Sequence, residues 1–143
     1  MQSFDKLTID VDQVLKIKAP VQKVYESLVH QMSEGLLGQD DEAIGLKLEK
    51  KPGGRWYRDL GDGKGHLWGF VQSIRTPDLI ELNGPMFMSY PVTNHIIARL
   101  EESDGGTRLH FRHRALGLIE EEHREGLVEG WNKMFDRIKK VSE

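Results

Sequence analysis

The 143-residue chain contains no cysteine, which removes disulfides, thiolate nucleophiles and cysteine-ligated metal from its chemistry. No apolar run approaches the roughly 20 residues needed to cross a bilayer, and the opening MQSFDKLTIDVDQ lacks the apolar stretch of a secretory signal. A cytoplasmic protein without membrane insertion is the expectation. A large excess of one charge is missing too: 30% of residues are charged, yet the formal net charge is −3, so nothing electrostatic draws nucleic acid to the chain. His30, His66 and His95 show no metal-ligand spacing, and His110 and His113 point to opposite faces of a strand, so neither a metal nor another cofactor is expected. The chain has no GxSxG elbow, HExxH pair, Walker loop or dinucleotide fingerprint; its glycine-rich KPGGRW and GDGKG read as turns.

The length suits one domain, residues 1–143, with no linker-like or repetitive stretch to divide it. Val11 to Lys18 alternates imperfectly and predicts a half-buried strand. Proline 20 then opens a short helix whose apolar face carries Val21, Val24, Tyr25 and Leu28. The stretch onward to Asp41 is mixed and has room for a second short helix. From Leu46, short segments separated by PGG, GDGKG, TPD, GPMFMS and SDGG predict an antiparallel meander of about six strands. From about Ile119 the pattern becomes one long helix, with Glu120 to Glu122 near its start and Arg137, Lys139 and Lys140 near its end, matching the helix dipole. Six or seven strands need one face covered, and only the terminal helix is long enough, so the expected fold class is α+β.

Several stretches are candidates for chemistry. On the last helix Leu127, Trp131, Met134, Phe135 and Ile138 share a stripe with His123, and Gly126 and Gly130 flank it four residues apart. Each glycine costs about 1 kcal/mol relative to alanine inside a helix. Two explanations stay open: close approach of a neighbouring element, or space kept free between helix and sheet. In TRLHFRHRA, Leu109, Phe111, His113 and Ala115 alternate onto one face; His113 is either a hydrogen-bonded core residue or an acid/base group in a cavity. Asn94 falls on the inner side of the preceding strand if no bulge intervenes. The outward Arg99, Arg108, Arg112 and Arg114 read as a solvated face paired with acids. Met86, Phe87 and Met88 lie together where a connection is normally polar, as a cap on the core or a mouth for an apolar ligand. Trp68 and Phe70 share a face by strict alternation, with Leu67, Gly69 and Val71 on the other, unless Gly69 marks a bulge.

Four stretches, IKAPVQKVYESL, PGGRWYRDLGDGKGHLWGFVQSIRTPDLIEL, GTRLHFRHRALG and EGWNKMFDRIKK, in that order, resemble the SRPBCC (START-like, birch-pollen-allergen-like) superfamily over roughly residues 9–140. Within it they look most like single-domain homologues of the activator of the ninety-kilodalton heat-shock chaperone ATPase. The resemblance implies a helix-grip fold: a curved antiparallel sheet of six to seven strands around the long C-terminal helix, one or two short helices after the first strand, and often an apolar cavity between sheet and helix. It transfers no universal catalytic residue. It implies a small apolar or aromatic ligand, for which Tyr57, Trp68, Phe70, Met86, Phe87, Met88, Asn94, Phe111, His113, His123, Leu127 and Trp131 are the candidate contacts. Two alternatives stand beside it: a cyclase- or isomerase-type enzyme using His113, and a protein-interaction module. Homodimerisation is compatible with such a domain. Chaperone stimulation is not expected, because the eukaryotic co-chaperone carries a further chaperone-binding domain for which 143 residues leave no room.

Overall fold

The computed structural model describes residues 4–38 and 40–143; the first three residues of the expected domain and Gln39 lie outside them. A single 3-10 turn at Phe4–Leu7 leads into β1 (Thr8–Ile17), and α1 (Val21–Gln31) follows. Pro20 sits at the N-cap with φ −62°, and Val24, Tyr25 and Leu28 are buried, as the three-four spacing requires. Six strands come next: β2 (Leu46–Leu48), β3 (Arg55–Gly61), β4 (Lys64–Arg75), β5 (Leu79–Gly84), β6 (Val92–Ser103) and β7 (Gly106–Gly117); α2 (Glu121–Ser142) completes the chain. The expected second short helix is absent from the described part of residues 32–44, which runs through turns and a bridge between Leu37 and Ala43.

The seven strands form one antiparallel sheet in the order β1-β7-β6-β5-β4-β3-β2. The β6–β7 hairpin closes through Asp104 and Gly105, both at positive φ (49° and 81°), the two-residue turn whose twist matches that of its strands. Its register runs without interruption from Val92↔Gly117 to Ser103↔Gly106, so Asn94, Ile96, Ala98 and Leu100 do face the same side as Leu109, Phe111, His113 and Ala115.

That side packs on α2, which the sheet grips in a helix-grip α+β fold. The Phe111 ring lies 4.9 Å from Trp131 and 5.1 Å from Phe135, and Met134 and Ile138 are fully buried beside them. Burying each such side chain contributes about 1.5–3 kcal/mol, so the C-terminal two-thirds of α2 carries the helix–sheet attachment. Polar ties hold α2 along β1: the Arg124 guanidinium donates to the carbonyls of Thr8 and Lys6, and the Glu143 carboxylate accepts from the Lys18 amide at 2.9 Å.

One register break re-aims the centre of the sheet. Trp56 pairs with Gly69 but Tyr57 pairs with Leu67, leaving Trp68 as the extra residue of a bulge. Trp68 and Val71 are therefore buried (4% and 1% exposed), whereas Leu67 and Phe70 are exposed (42% and 47%). This corrects the strict alternation that placed Trp68 with Phe70. Gly69 is required at the bulge because a Cβ there would overlap the Asn83 carbonyl on β5.

Candidate functional site

One face of α2, from Glu122 to Arg137, borders a concavity. A pocket of about 630 Å³ lies there, bounded by Leu36, Leu37 and Ile44 before β2, by Trp68 on β4, by Met86 and Phe87 after β5, and by the α2 face from Glu122 to Arg137. Gly126 and Gly130 are part of that wall, and a Cβ added to Gly130 would meet nothing within 4 Å. Gly130 is exposed, so no neighbouring element approaches it closely, and the first of the two explanations does not apply at that position.

The bulge and the following loop build the apolar floor. Trp68 projects inward against Trp56 (ring centroids 5.3 Å, edge to face), and its carbonyl accepts the Met86 amide at 2.8 Å. Met86 has φ 57°, a left-handed conformation rare for a side chain of its kind, and the chain turns there so that Met86 and Met88 are buried while Phe87 stays half-exposed. Phe87 lies 5.7 Å from Trp68 and 5.0 Å, perpendicular, from the His123 ring. His123 Nδ1 shares a 2.8 Å hydrogen bond with the Tyr90 hydroxyl, which also accepts the Glu120 amide at 3.3 Å. This clasp joins the β5–β6 loop to the start of α2.

The rim is charged. Glu122, Glu129, Lys133, Arg137 and Asp41 line the pocket, with Lys133 and Glu129 3.5 Å apart and the Arg137 Nε–H donating to Gln31 Oε1 on α1 at 2.7 Å.

Of the residues named from sequence, Trp68, Met86, Phe87, His123, Leu127 and Trp131 come together around this pocket. Met88, Phe111, Asn94 and His113 are buried but do not line it. Tyr57 and Phe70 lie on the outer sheet face, Tyr57 beneath the Arg55 guanidinium at 4.3 Å and Phe70 exposed, so the structure takes both away from the pocket. Sequence reading missed Leu36, Leu37 and Ile44, whose segment has no periodicity to mark it, and Lys133 and Arg137, which look like ordinary solvated charges on a helix.

His113 is fully buried with both ring nitrogens engaged: Nδ1 accepts the Trp131 indole N–H at 2.9 Å, and Nε2 lies 2.7 Å from Asn94 Oδ1. Burial pushes its pKa down to about 4, and the charge of nearby His95 acts in the same direction. It is a neutral, hydrogen-bonded core histidine, which leaves the acid/base role proposed for it without an open nitrogen. On the outer face, Arg112 pairs with Asp10 at 3.0 Å and Arg108 with Glu101 at 3.1 Å, and the Arg112 hydrogen bond holds the Asp10 carboxyl below its usual range.

The family model described as activator of Hsp90 ATPase homolog 1-like protein matches residues 18–143. No curated protein matches the sequence. Solved structures similar to the chain include Ara h 8.0201 (14% identity, TM-score 0.67, 94% of this chain and 97% of that one). A protein of unknown function from Staphylococcus aureus is also similar (18% identity, TM-score 0.65, 94% and 93% covered). A third is the di-domain ARO/CYC StfQ from the steffimycin biosynthetic pathway (15% identity, TM-score 0.67), where the match spans 97% of this chain and 52% of the larger one. At these identities the likeness is one of fold.

Proposed function

Because the chain belongs to the activator of Hsp90 ATPase homolog 1-like family of the SRPBCC superfamily, we propose that its helix-grip fold serves to bind a small apolar or aromatic molecule in the pocket beside α2. The observation that carries this reading is the pocket itself: about 630 Å³, floored by Trp68, Met86, Phe87, Leu127 and Trp131, with Gly126 and Gly130 on its helix wall. That volume is within the roughly 300–1,000 Å³ usual for small-molecule sites, whose apolar walls supply affinity and whose few polar groups supply orientation. His123 is the polar group among the aromatic ones. Native mass spectrometry of gently purified protein tests the reading, with Gly130→Leu as the filled-pocket control: a co-purifying compound lost in the variant supports it. A wild-type protein that is empty and takes up no neutral aromatic dye contradicts it.

A catalytic reading draws support from one arrangement. His123 and Tyr90 share a hydrogen bond at the pocket wall, the geometry of an acid/base pair, whereas His113 is sealed in the core. Retention of full turnover of an identified substrate by His123→Ala would remove it.

A further inference from the structure

Resting on the binding reading above, we infer that the occupant is an amphiphile with a single carboxylate, seated with that group on Arg137 and its apolar body on Trp131, Leu127 and Trp68. Among the described residues four arginines make no ion pair, and of these Arg58, Arg99 and Arg114 are exposed while Arg137 is half-buried. Arg55, Arg75, Arg108, Arg112 and Arg124 each meet a carboxylate. Arg137 instead lines the pocket half-buried, its Nε–H bound to the neutral Gln31 amide at 2.7 Å. Its two terminal nitrogens have no hydrogen-bond or ion-pair partner among the described residues. A guanidinium oriented at Nε by a fixed neighbour presents a planar pair of donors, the geometry that accepts both oxygens of a carboxylate. Partial burial strengthens that attraction, since less water screens it.

The two cations of the lining, Lys133 and Arg137, stand one turn apart on α2. Lys133 is tied to Glu129 at 3.5 Å, while Asp136, next to Arg137 in sequence, is exposed and does not line the pocket. Glu122 lines the pocket fifteen residues before Arg137, about 22 Å along the helix axis. Asp41 lies on the loop wall and makes no ion pair with Arg137. Between the Glu122 end and the cationic end runs the apolar floor. Along the α2 wall, Lys133 and Arg137 thus stand at one end and Glu122 at the other with Leu127 and Trp131 between them, which orients an elongated monoanion with its carboxylate at Arg137.

The test uses the full chain, the neutral dye N-phenyl-1-naphthylamine, and two competitors of equal chain length, dodecanoate and dodecan-1-ol. Dodecanoate is expected to displace the dye at about tenfold lower concentration than the alcohol, the size of one charge-assisted hydrogen-bonded contact. Arg137→Gln is expected to bring the ratio of acid to alcohol displacement, measured within the same variant, to about one, and Arg137→Lys to restore part of it; a ratio that persists in Arg137→Gln overturns the inference. Dye uptake by the variant shows that its pocket is still formed; if Arg137→Gln takes up no dye, Lys133→Gln, whose partner Glu129 is exposed, replaces it and must narrow the preference. Equal displacement by acid and alcohol overturns the carboxylate inference and leaves the pocket standing. Failure of the dye and of both competitors to bind wild-type protein overturns the binding reading, and this inference with it.

Discussion

Trp131 on α2 donates its indole N–H to Nδ1 of His113 on β7 at 2.9 Å, and this one contact decides the chemistry of the histidine. With Nδ1 accepting, the ring proton sits on Nε2 and is donated to Asn94 Oδ1 at 2.7 Å, while the Asn94 amide donates to the Gly84 carbonyl at 3.1 Å. The chain of bonds links α2, β7, β6 and the end of β5 through neutral groups. Replacing His113 with alanine leaves the indole N–H and the Asn94 carbonyl without partners and opens a void, so a loss of about 3 kcal/mol is expected from urea unfolding.

The same histidine imposes a pH dependence. Its pKa is lowered to about 4 in the folded protein against an ordinary value of 6.5, so between these values the unfolded chain binds a proton that the folded one refuses. Stability from this group is complete above about pH 6.5 and declines as pH falls towards 4, by roughly 3 kcal/mol in all. His113→Gln should flatten that part of the stability profile. An identical slope in the variant would show that another group is responsible.

Gly130 separates helix propensity from pocket volume. Alanine there meets no neighbour within 4 Å, so Gly130→Ala should stabilise the protein by about 1 kcal/mol and leave dye binding intact. Gly130→Leu should be no less stable than wild type and should weaken dye binding at least tenfold. Thermal melts and dye titrations on the pair read the two effects independently.

Trp56 holds the pocket wall from behind. Its indole N–H donates to the Met32 carbonyl at the end of α1 at 2.8 Å, and its ring supports Trp68 edge to face. Trp56→Phe should cost about 1–3 kcal/mol and weaken the dye modestly through Trp68. A stability loss with unaltered dye affinity would show that Trp68 is positioned by the bulge alone.

Phe70 supplies the contrast. It is 47% exposed on the outer face, so Phe70→Ser should change stability by less than about 0.5 kcal/mol and leave the dye untouched. Loss of dye binding in this variant would mean that the β4 bulge is misplaced.

Local spacing along the chain was enough to read the strand–helix–meander–helix order, the long terminal helix and its buried stripe, the β6–β7 hairpin, and the shared face of Asn94, Phe111 and His113. Each rests on periodicity or turn chemistry within a few residues, and no later contact reverses it. The directions of Trp68 and Phe70 were set by the folded sheet, because one extra residue in β4 inverts the alternation and is stabilised by the close approach of Gly69 to β5. Tertiary packing also decided that His113 is sealed by Trp131 and that Arg137 stands at a pocket rather than in open solvent. Those outcomes depend on distances between segments far apart in the chain, which spacing along a single segment does not carry.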